Sequence, residues 1–390
     1  MIKILSVIVF LSSNIFAQID FDEFLNDALK NSPYLKSNAL SIKQSTLKGR
    51  SLNIYKNPLL ELEYSQFKPE RGVDEDGYRV AISQPLRLWG VGSDKEKLAK
   101  SMELKLSASY TLSHAKLVKK ISLLFAEYSK KQELYLLAKE ELEISEKIYE
   151  ISKERYKAGT IAKGMMLQAK VDFEMVDIYL DSLYLSLREN YFSLLEVAGY
   201  SNEIELNHRH IFKIKESMQS FKNPDLGYVD SLKNESIATS KLNSNKIEYV
   251  DLLAEFENEP DENIFRVGVS IPLAIFDTKK EQLQIAKLQT QKIKLQTKKQ
   301  NDAINLKVLK LTQQRDMLKR LKIKNMKTLQ SQKKLLEMFE EGYKIASINL
   351  LELQNTKNRV IKTKESLIKI KFALYFNAII TNYISGAYNE

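Results

Sequence analysis

Three histidines, one methionine pair and an acidic cluster are the side chains of this sequence with the clearest capacity for chemistry. A metal centre needs several His, Cys or carboxylate ligands converging on one point. His114 stands alone in a long helical pattern, and His208 and His210 flank Arg209 with no carboxylate or thiol companion. Met165-Met166 could offer soft thioether ligands, but packing or docking contacts are expected of them instead. Glu255, Glu257, Glu259, Asp261 and Glu262 crowd the stretch Glu255 to Asn263 without one basic residue, as a cation site or a solvated hairpin tip would. No Ser/His/Asp order, glycine-rich phosphate loop or metal-ligand spacing occurs, so a passive body without a cofactor is expected rather than an enzyme. The chain has no cysteine, and disulfides, thiolate zinc sites and a lipid-modified N-terminal cysteine are not expected.

The elements that must carry these residues are laid down twice. Tyr78-Arg79-Val80-Ala81-Ile82-Ser83-Gln84-Pro85-Leu86 returns 187 positions later as Phe265-Arg266-Val267-Gly268-Val269-Ser270-Ile271-Pro272-Leu273. The register then holds through Tyr156 and Tyr343, Phe173 and Val360, Leu180 and Leu367, Asn190 and Asn377, to Gly199 and Gly386. Solenoid repeats run to roughly 20–50 residues. A period this long means that one strand, long-helix, turn and helix unit was duplicated.

With only 12 Gly and 7 Pro, long uninterrupted helices are expected. Leu117, Ile121, Leu124 and Tyr128, then Ile144, Ile148 and Ile151, follow the four–three spacing of a coiled coil. From Asp94 to Lys157 such a helix would run about 95 Å at 1.5 Å per residue, and Lys279 to Lys344 repeats it. Lys163 to Ala198 and Asn349 to Ile384 read as shorter partners. Tyr34 to Tyr55 and Asp225 to Asn243 are helices that open at Pro33 and Pro224. End to end with the partners they would form an antiparallel column broken at its middle.

Both turns have informative chemistry. Gly159 sits where a helix end wants a left-handed residue, and its counterpart is Ala346, which pays a steric cost there. Between the helices, Tyr78, Val80 and Ile82 alternate with Arg79, Ala81 and Ser83, and Leu60, Leu62 and Tyr64 with Glu61, Glu63 and Ser65. The second copy alternates from Phe265 to Ile271. This is the dyad pattern of amphipathic strands of about 9–11 residues in membrane barrels. In Lys246 to Phe256, Asp251 breaks the pattern and a helix is the alternative. The first hairpin tip, Lys68 to Gly77, carries Pro69, Gly72 and Gly77.

Residues 1–17 read as a secretory signal, with Lys3, a short apolar core from Ile4 to Leu11, and Ala17 before the cut. That core is too short to span a bilayer, which takes ~20 residues. The net charge of +10 lies largely in Lys279 to Lys334, where arginine is sparse and aromatics are absent. A solvated helix face is expected there, and no nucleic-acid partner.

Over essentially the whole mature chain these features resemble the TolC family of outer-membrane efflux channels. The passage Ile82-Ser83-Gln84-Pro85-Leu86-Arg87-Leu88-Trp89-Gly90 and its echo Val269–Leu273, the turns Tyr156–Ile161 and Tyr343–Ile348, and the helix ends at Gly199 and Gly386 carry the likeness. The Ser-Gln-Pro-Leu passage looks nearest to members serving heavy-metal resistance-nodulation-division (RND) pumps. The resemblance implies a mainly α protein with a membrane β-barrel part, as a homotrimer with a 12-stranded β-barrel on a 12-helix α-barrel tunnel. It implies a signal peptide at 1–17, a first repeat at 18–200, an equatorial link at 201–224 and a second repeat at 225–390. By the same resemblance the protein is an exit duct in the cell outer membrane, reaching into the periplasm. Its partners would be a periplasmic adaptor, an inner-membrane pump and outer-membrane lipid. The turns would form the periplasmic gate and adaptor-docking region, from Gly159, Thr160, Ile161 and Met165 and from Ala346, Ser347, Glu352 and Asn355. Glu352 occupies the first of two positions where the family places pore acids, and Asn355 the second. Glu61, Arg79 and Arg266 are the candidate barrel-lumen residues. An exported coiled-coil structural or adaptor protein is the rival reading, though it leaves two identically placed sets of amphipathic strands unexplained.

Overall fold

The computed structural model describes residues 18–68, 70–215 and 223–389. Residues 1–17, which read as a secretory signal, Pro69 of the first hairpin tip and residues 216–222 of the expected link lie outside them. The described elements are α1 (Phe21–Asn31), α2 (Pro33–Leu52), β1 (Leu59–Phe67), β2 (Glu75–Arg87), α3 (Val91–Lys157) and α4 (Lys163–Ala198), then α5 (Pro224–Asn243), β3 (Tyr249–Asn258), β4 (Asn263–Ser270), α6 (Lys280–Lys344) and α7 (Leu350–Ser385). The register of 187 holds at both ends of α4 and α7 and at the last residues of α3 and α6. Gly199 and Gly386 end α4 and α7 in the left-handed conformation, at φ 82° and 83°, where glycine carries no Cβ penalty. Asn223 caps α5 by accepting from the backbone N–H groups of Asp225 and Leu226, with Pro224 at the first helical position.

Two compact units emerge, and each draws on both repeats. One spans Pro33–Ala115 and the stretch from α5 to Leu306. It holds a four-stranded antiparallel sheet in the order β1-β2-β3-β4, whose central β2–β3 joint pairs one repeat with the other. Cross-strand partners share a face, so Leu62, Val80, Phe256 and Phe265 form one row, and Leu60, Ile82, Ala254 and Val267 the next. Nearly all of this apolar face is exposed.

The ambiguous segment is a strand. Its apolar face is Val250, Leu252, Ala254 and Phe256, and Asp251 belongs to the polar face with Glu255 and Glu257. The sequence pattern follows Ile247 and Tyr249, which track the other face. The acidic hairpin tip is also shorter than expected. Glu259 and Glu262 exchange backbone hydrogen bonds of 2.9 and 3.3 Å across the turn, so Glu255 and Glu257 are strand residues.

The other unit takes in the chain up to Ser32, the stretch from Lys116 into the link, and Lys307–Tyr388. At its turn end Ile148, Ala169, Leu336, Tyr343, Leu350, Leu353 and Val360 form a core shared by α3, α4, α6 and α7. The inward face of α3 is wider than its heptads suggest. Val118, Ile121 and Phe125 are buried together with Ser122 and Ser129, while Leu117, Leu124 and Tyr128 are half-buried. Phe125 packs on Phe21 at 4.7 Å and on Phe212 at 6.4 Å, segments that a pattern along α3 cannot foresee. Serine tolerates this burial by bonding its own helix: the Ser129 hydroxyl donates to the Phe125 carbonyl at 2.8 Å. No helix among the described residues is long and apolar enough to cross a membrane.

Candidate functional site

The two helical turns come together at one end of the helical unit. The buried Tyr343 hydroxyl lies 2.8 Å from the Ser152 hydroxyl, and the Arg155 guanidinium donates to the Tyr343 carbonyl at 2.9 Å. Arg155 also lies over the Tyr343 ring, 4.6 Å from its centroid. The Gln168 amide donates to the Gln354 side chain at 3.3 Å. Repeat equivalence breaks here, because Tyr156, the counterpart of Tyr343, is exposed.

Among the sequence candidates, Gly159 has φ 73° and Ala346 φ 65°, so the alanine does hold the left-handed conformation. Thr160 donates from its hydroxyl to the Arg155 carbonyl at 3.0 Å. Ser347 donates to the Gly342 carbonyl from its hydroxyl at 3.0 Å and from its backbone N–H at 2.9 Å. Ile161 is half-buried, while Met165, Glu352 and Asn355 are exposed. Glu352 also has a role the sequence reading missed. Its backbone N–H donates to the Asn349 side chain at 2.9 Å, and its carboxylate accepts from the Asn349 backbone N–H at 3.4 Å. This is a capping box, legible in hindsight as Asn-x-x-Glu before α7.

The strained turn gives a direct expectation. A left-handed L-residue costs roughly 1–2 kcal/mol, while glycine adds unfolded-state entropy. Ala346→Gly should therefore raise stability by about 1 kcal/mol, and Gly159→Ala lower it by a similar amount. No atom lies within 4 Å of a Cβ built on Gly159, so its cost is one of backbone alone. Denaturant midpoints at unchanged slope measure both; a midpoint lowered by Ala346→Gly would contradict the strain.

The second cluster is the polar face of the sheet. Arg79 reaches Glu63 at 2.8 Å, Glu255 at 3.1 Å and Glu61 at 3.7 Å. Arg266 pairs with Glu255 and Glu257. The three lumen candidates thus join one charged ladder across four strands, with Glu255 between the two guanidiniums. Sequence reading found Glu61, Arg79 and Arg266 but placed Glu255 and Glu257 in a loop, because the β2–β3 register is not written in either strand.

The histidines have packing surroundings. The His210 ring packs tilted and edge-on against Phe21 and Phe212, centroids 4.5 and 4.6 Å away, and burial pushes its pKa down. Burial, with Arg209 beside it, does the same to His208. His114 lies by Tyr110, ring centroids 6.4 Å apart. Among the described residues no group of three or more His, Cys, Asp or Glu is placed to hold a metal ion.

No protein-family model matches the sequence, and no curated protein does. Solved structures do match. The outer-membrane channel OprN superposes with TM-score 0.80 at 12% identity, over 95% of this chain and 90% of that one. CusC, described for conformational changes accompanying folding and transmembrane channel formation, gives 0.77 at 14% over 95% and 92%. The outer membrane protein VceC of Vibrio cholerae gives 0.77 at 14% over 94% and 95%. At such identities the likeness carries the fold, and the chain has the fold of the outer-membrane channels to which the TolC resemblance points.

Proposed function

We propose that three copies of this chain close into a TolC-type exit duct. It would pass small solutes or metal cations passively to the outside, from an inner-membrane pump through a periplasmic adaptor, without chemistry of its own. One observation carries this reading: the sheet has an uncovered apolar face, while the outer edges of β1 and β4 have no strand partner among the described residues. Open edges are not tolerated in lipid, and single-chain barrels begin at eight strands. Three copies supply twelve.

The helices support the same assembly. Val171, Ile178, Leu185 and Phe192 form an exposed heptad stripe on α4, bordered by exposed Glu174, Asp177, Asp181 and Glu189. On α6, exposed Met317, Ile323 and Met326 lie among Lys319, Arg320, Lys322, Lys324 and Lys327. An apolar stripe edged by acids on one helix and exposed apolar side chains among bases on another suit packing of one copy against the next. The test is extraction and assembly. The mature chain should leave the outer membrane only with detergent, run as a heat-labile trimer and conduct ions across a bilayer. A water-soluble monomer that ignores bilayers would sink the reading, and is what the exported coiled-coil alternative requires.

In this duct the segments 156–167 and 343–354 form the periplasmic gate and adaptor-docking region. Three Glu352 carboxylates around the axis would favour cations. Gln can replace Glu in a capping box, so Glu352→Gln removes the charge while keeping the α7 start. Single-channel reversal potentials should then show reduced cation preference; unchanged selectivity would reject the pore role.

A further inference from the structure

A cavity of about 600 Å³ opens in the helical unit beside α3, α4 and the first residues of the link. Four tyrosines line it, Tyr128 and Tyr135 from α3 and Tyr184 and Tyr191 from α4. Tyr128 faces Tyr191 and Tyr135 faces Tyr184, each pair with ring centroids 5.7 Å apart. The rings recur at a spacing of seven on both helices, so they stand along one seam. The duplicated fold does not require them. At the same four positions, shifted by 187, the second repeat holds Arg315, Lys322, Lys371 and Ala378.

The link closes one side of the cavity. The Tyr191 hydroxyl donates to the Ile204 carbonyl at 2.6 Å and accepts from the Ile204 N–H at 2.8 Å. Ile19 donates its backbone N–H to the Glu205 carbonyl at 2.9 Å and forms a parallel bridge with Leu206. These bonds hold Glu203, Glu205 and His208 against the cavity. Glu203 is engaged by Arg188, whose guanidinium reaches both carboxylate oxygens at 2.9 Å. His208 is neutral at pH 7, because burial and Arg209 lower its pKa. Glu205 is exposed and has no ion pair among the described residues. The lining therefore carries one negative charge in excess.

Aromatic faces around an uncompensated carboxylate select a cation. A ring quadrupole attracts a cation within about 6 Å of its centroid, and cages of such rings suit quaternary ammonium groups. The seam already shows this attraction: the Lys139 ammonium lies 4.8 Å from the Tyr135 centroid and the Arg188 guanidinium 5.1 Å from that of Tyr191. Tyr128 and Tyr184 hold no cation among the described residues. The volume falls within the roughly 300–1,000 Å³ of small-molecule sites.

We propose that this tyrosine cavity binds a small organic cation with a quaternary ammonium head, held by the faces of Tyr128 and Tyr184 and by the Glu205 carboxylate. The site lies within the helical unit of one chain and does not depend on the duct reading. The test is calorimetric titration of the mature chain in nonionic detergent with choline and with neohexyl alcohol, its uncharged carbon isostere. Choline should saturate the site with a Kd of roughly 1 mM or below, and neohexyl alcohol should show no saturation over the same range. Tyr184→Leu should weaken choline binding roughly 2- to 30-fold, the span of a cation–π contact from exposed to desolvated. Glu205→Gln should weaken it several-fold at low salt. No saturable binding by the unaltered chain, or an uncharged isostere that binds as tightly as choline, would overturn the site. Unchanged affinity in both variants would do the same. The isostere comparison uses the unaltered chain, so it decides the matter even where a variant misfolds.

Discussion

Val269→Lys is expected to abolish stable insertion of the protein in a bilayer, while Ser270→Lys, one residue further, leaves insertion intact. Val269 is exposed on the apolar face and pairs with Leu252. Ser270 lies on the polar face opposite Asp251. Both are the last residues of β4, on its two faces. A lysine facing lipid near the bilayer midplane costs about 2–4 kcal/mol, or roughly 30- to 1000-fold in the insertion equilibrium at 1.4 kcal/mol per decade, and each trimer would carry three. A lysine on the other face meets a carboxylate and the lumen. The assay is the yield of heat-labile trimer recovered from vesicles against aggregate. Equal yields from the two variants would mean that the sheet's apolar face does not meet lipid.

Much of the fold is legible because duplication and periodicity are both local signals. The helix ends at Gly199 and Gly386, the turn at Gly159 and Ala346, and the alternating strands can all be read from one stretch of chain. What is hidden depends on which stretches meet. Phe125 becomes a core residue only because Phe21 and Phe212 arrive from distant segments. Asn190 and Asn377 occupy equivalent slots, yet Asn190 donates to its own helix at the Ser186 carbonyl, while Asn377 is buried and donates to the Leu311 carbonyl of α6. The charged ladder of the sheet needed the β2–β3 register. A lysine row on α7 was visible but unread: Lys357, Lys364 and Lys371 recur every seven residues along a stripe with Leu353, Val360 and Leu367. Lys364 pairs with Glu140 and Lys371 with Glu133, themselves seven apart on α3. A heptad slot holding lysine is an ion-pair seam as well as an apolar one.

Lys357 is the member of that row with the most at stake. It is 0% exposed, whereas Lys170, its counterpart in the first repeat, pairs with Glu174 on the surface at 3.3 Å. Its ammonium donates to Asp172 of α4 at 2.6 Å and to Ser145 of α3 at 3.0 Å, with Glu141 at 3.8 Å. Removing one partner of a buried ion pair typically costs 3–5 kcal/mol, because the remaining charge is left without compensation. Lys357→Met should therefore destabilise the helical unit by about 3 kcal/mol, and adding Asp172→Asn and Glu141→Gln should recover most of the loss. The pH dependence has a definite sign. Burial holds the Glu141 carboxyl above its ordinary range, helped by Asp172 and Glu365 and opposed by Lys357. A carboxyl raised in the folded state contributes stability that is full below its unfolded pKa and is lost as pH rises through the folded value. Without Lys357 the opposing pull is gone and that window moves upward. The variant should consequently lose more stability between acidic and neutral pH than the parent. Unfolding midpoints across that range measure it, and parallel curves for the two proteins would show that the buried carboxylates do not depend on Lys357.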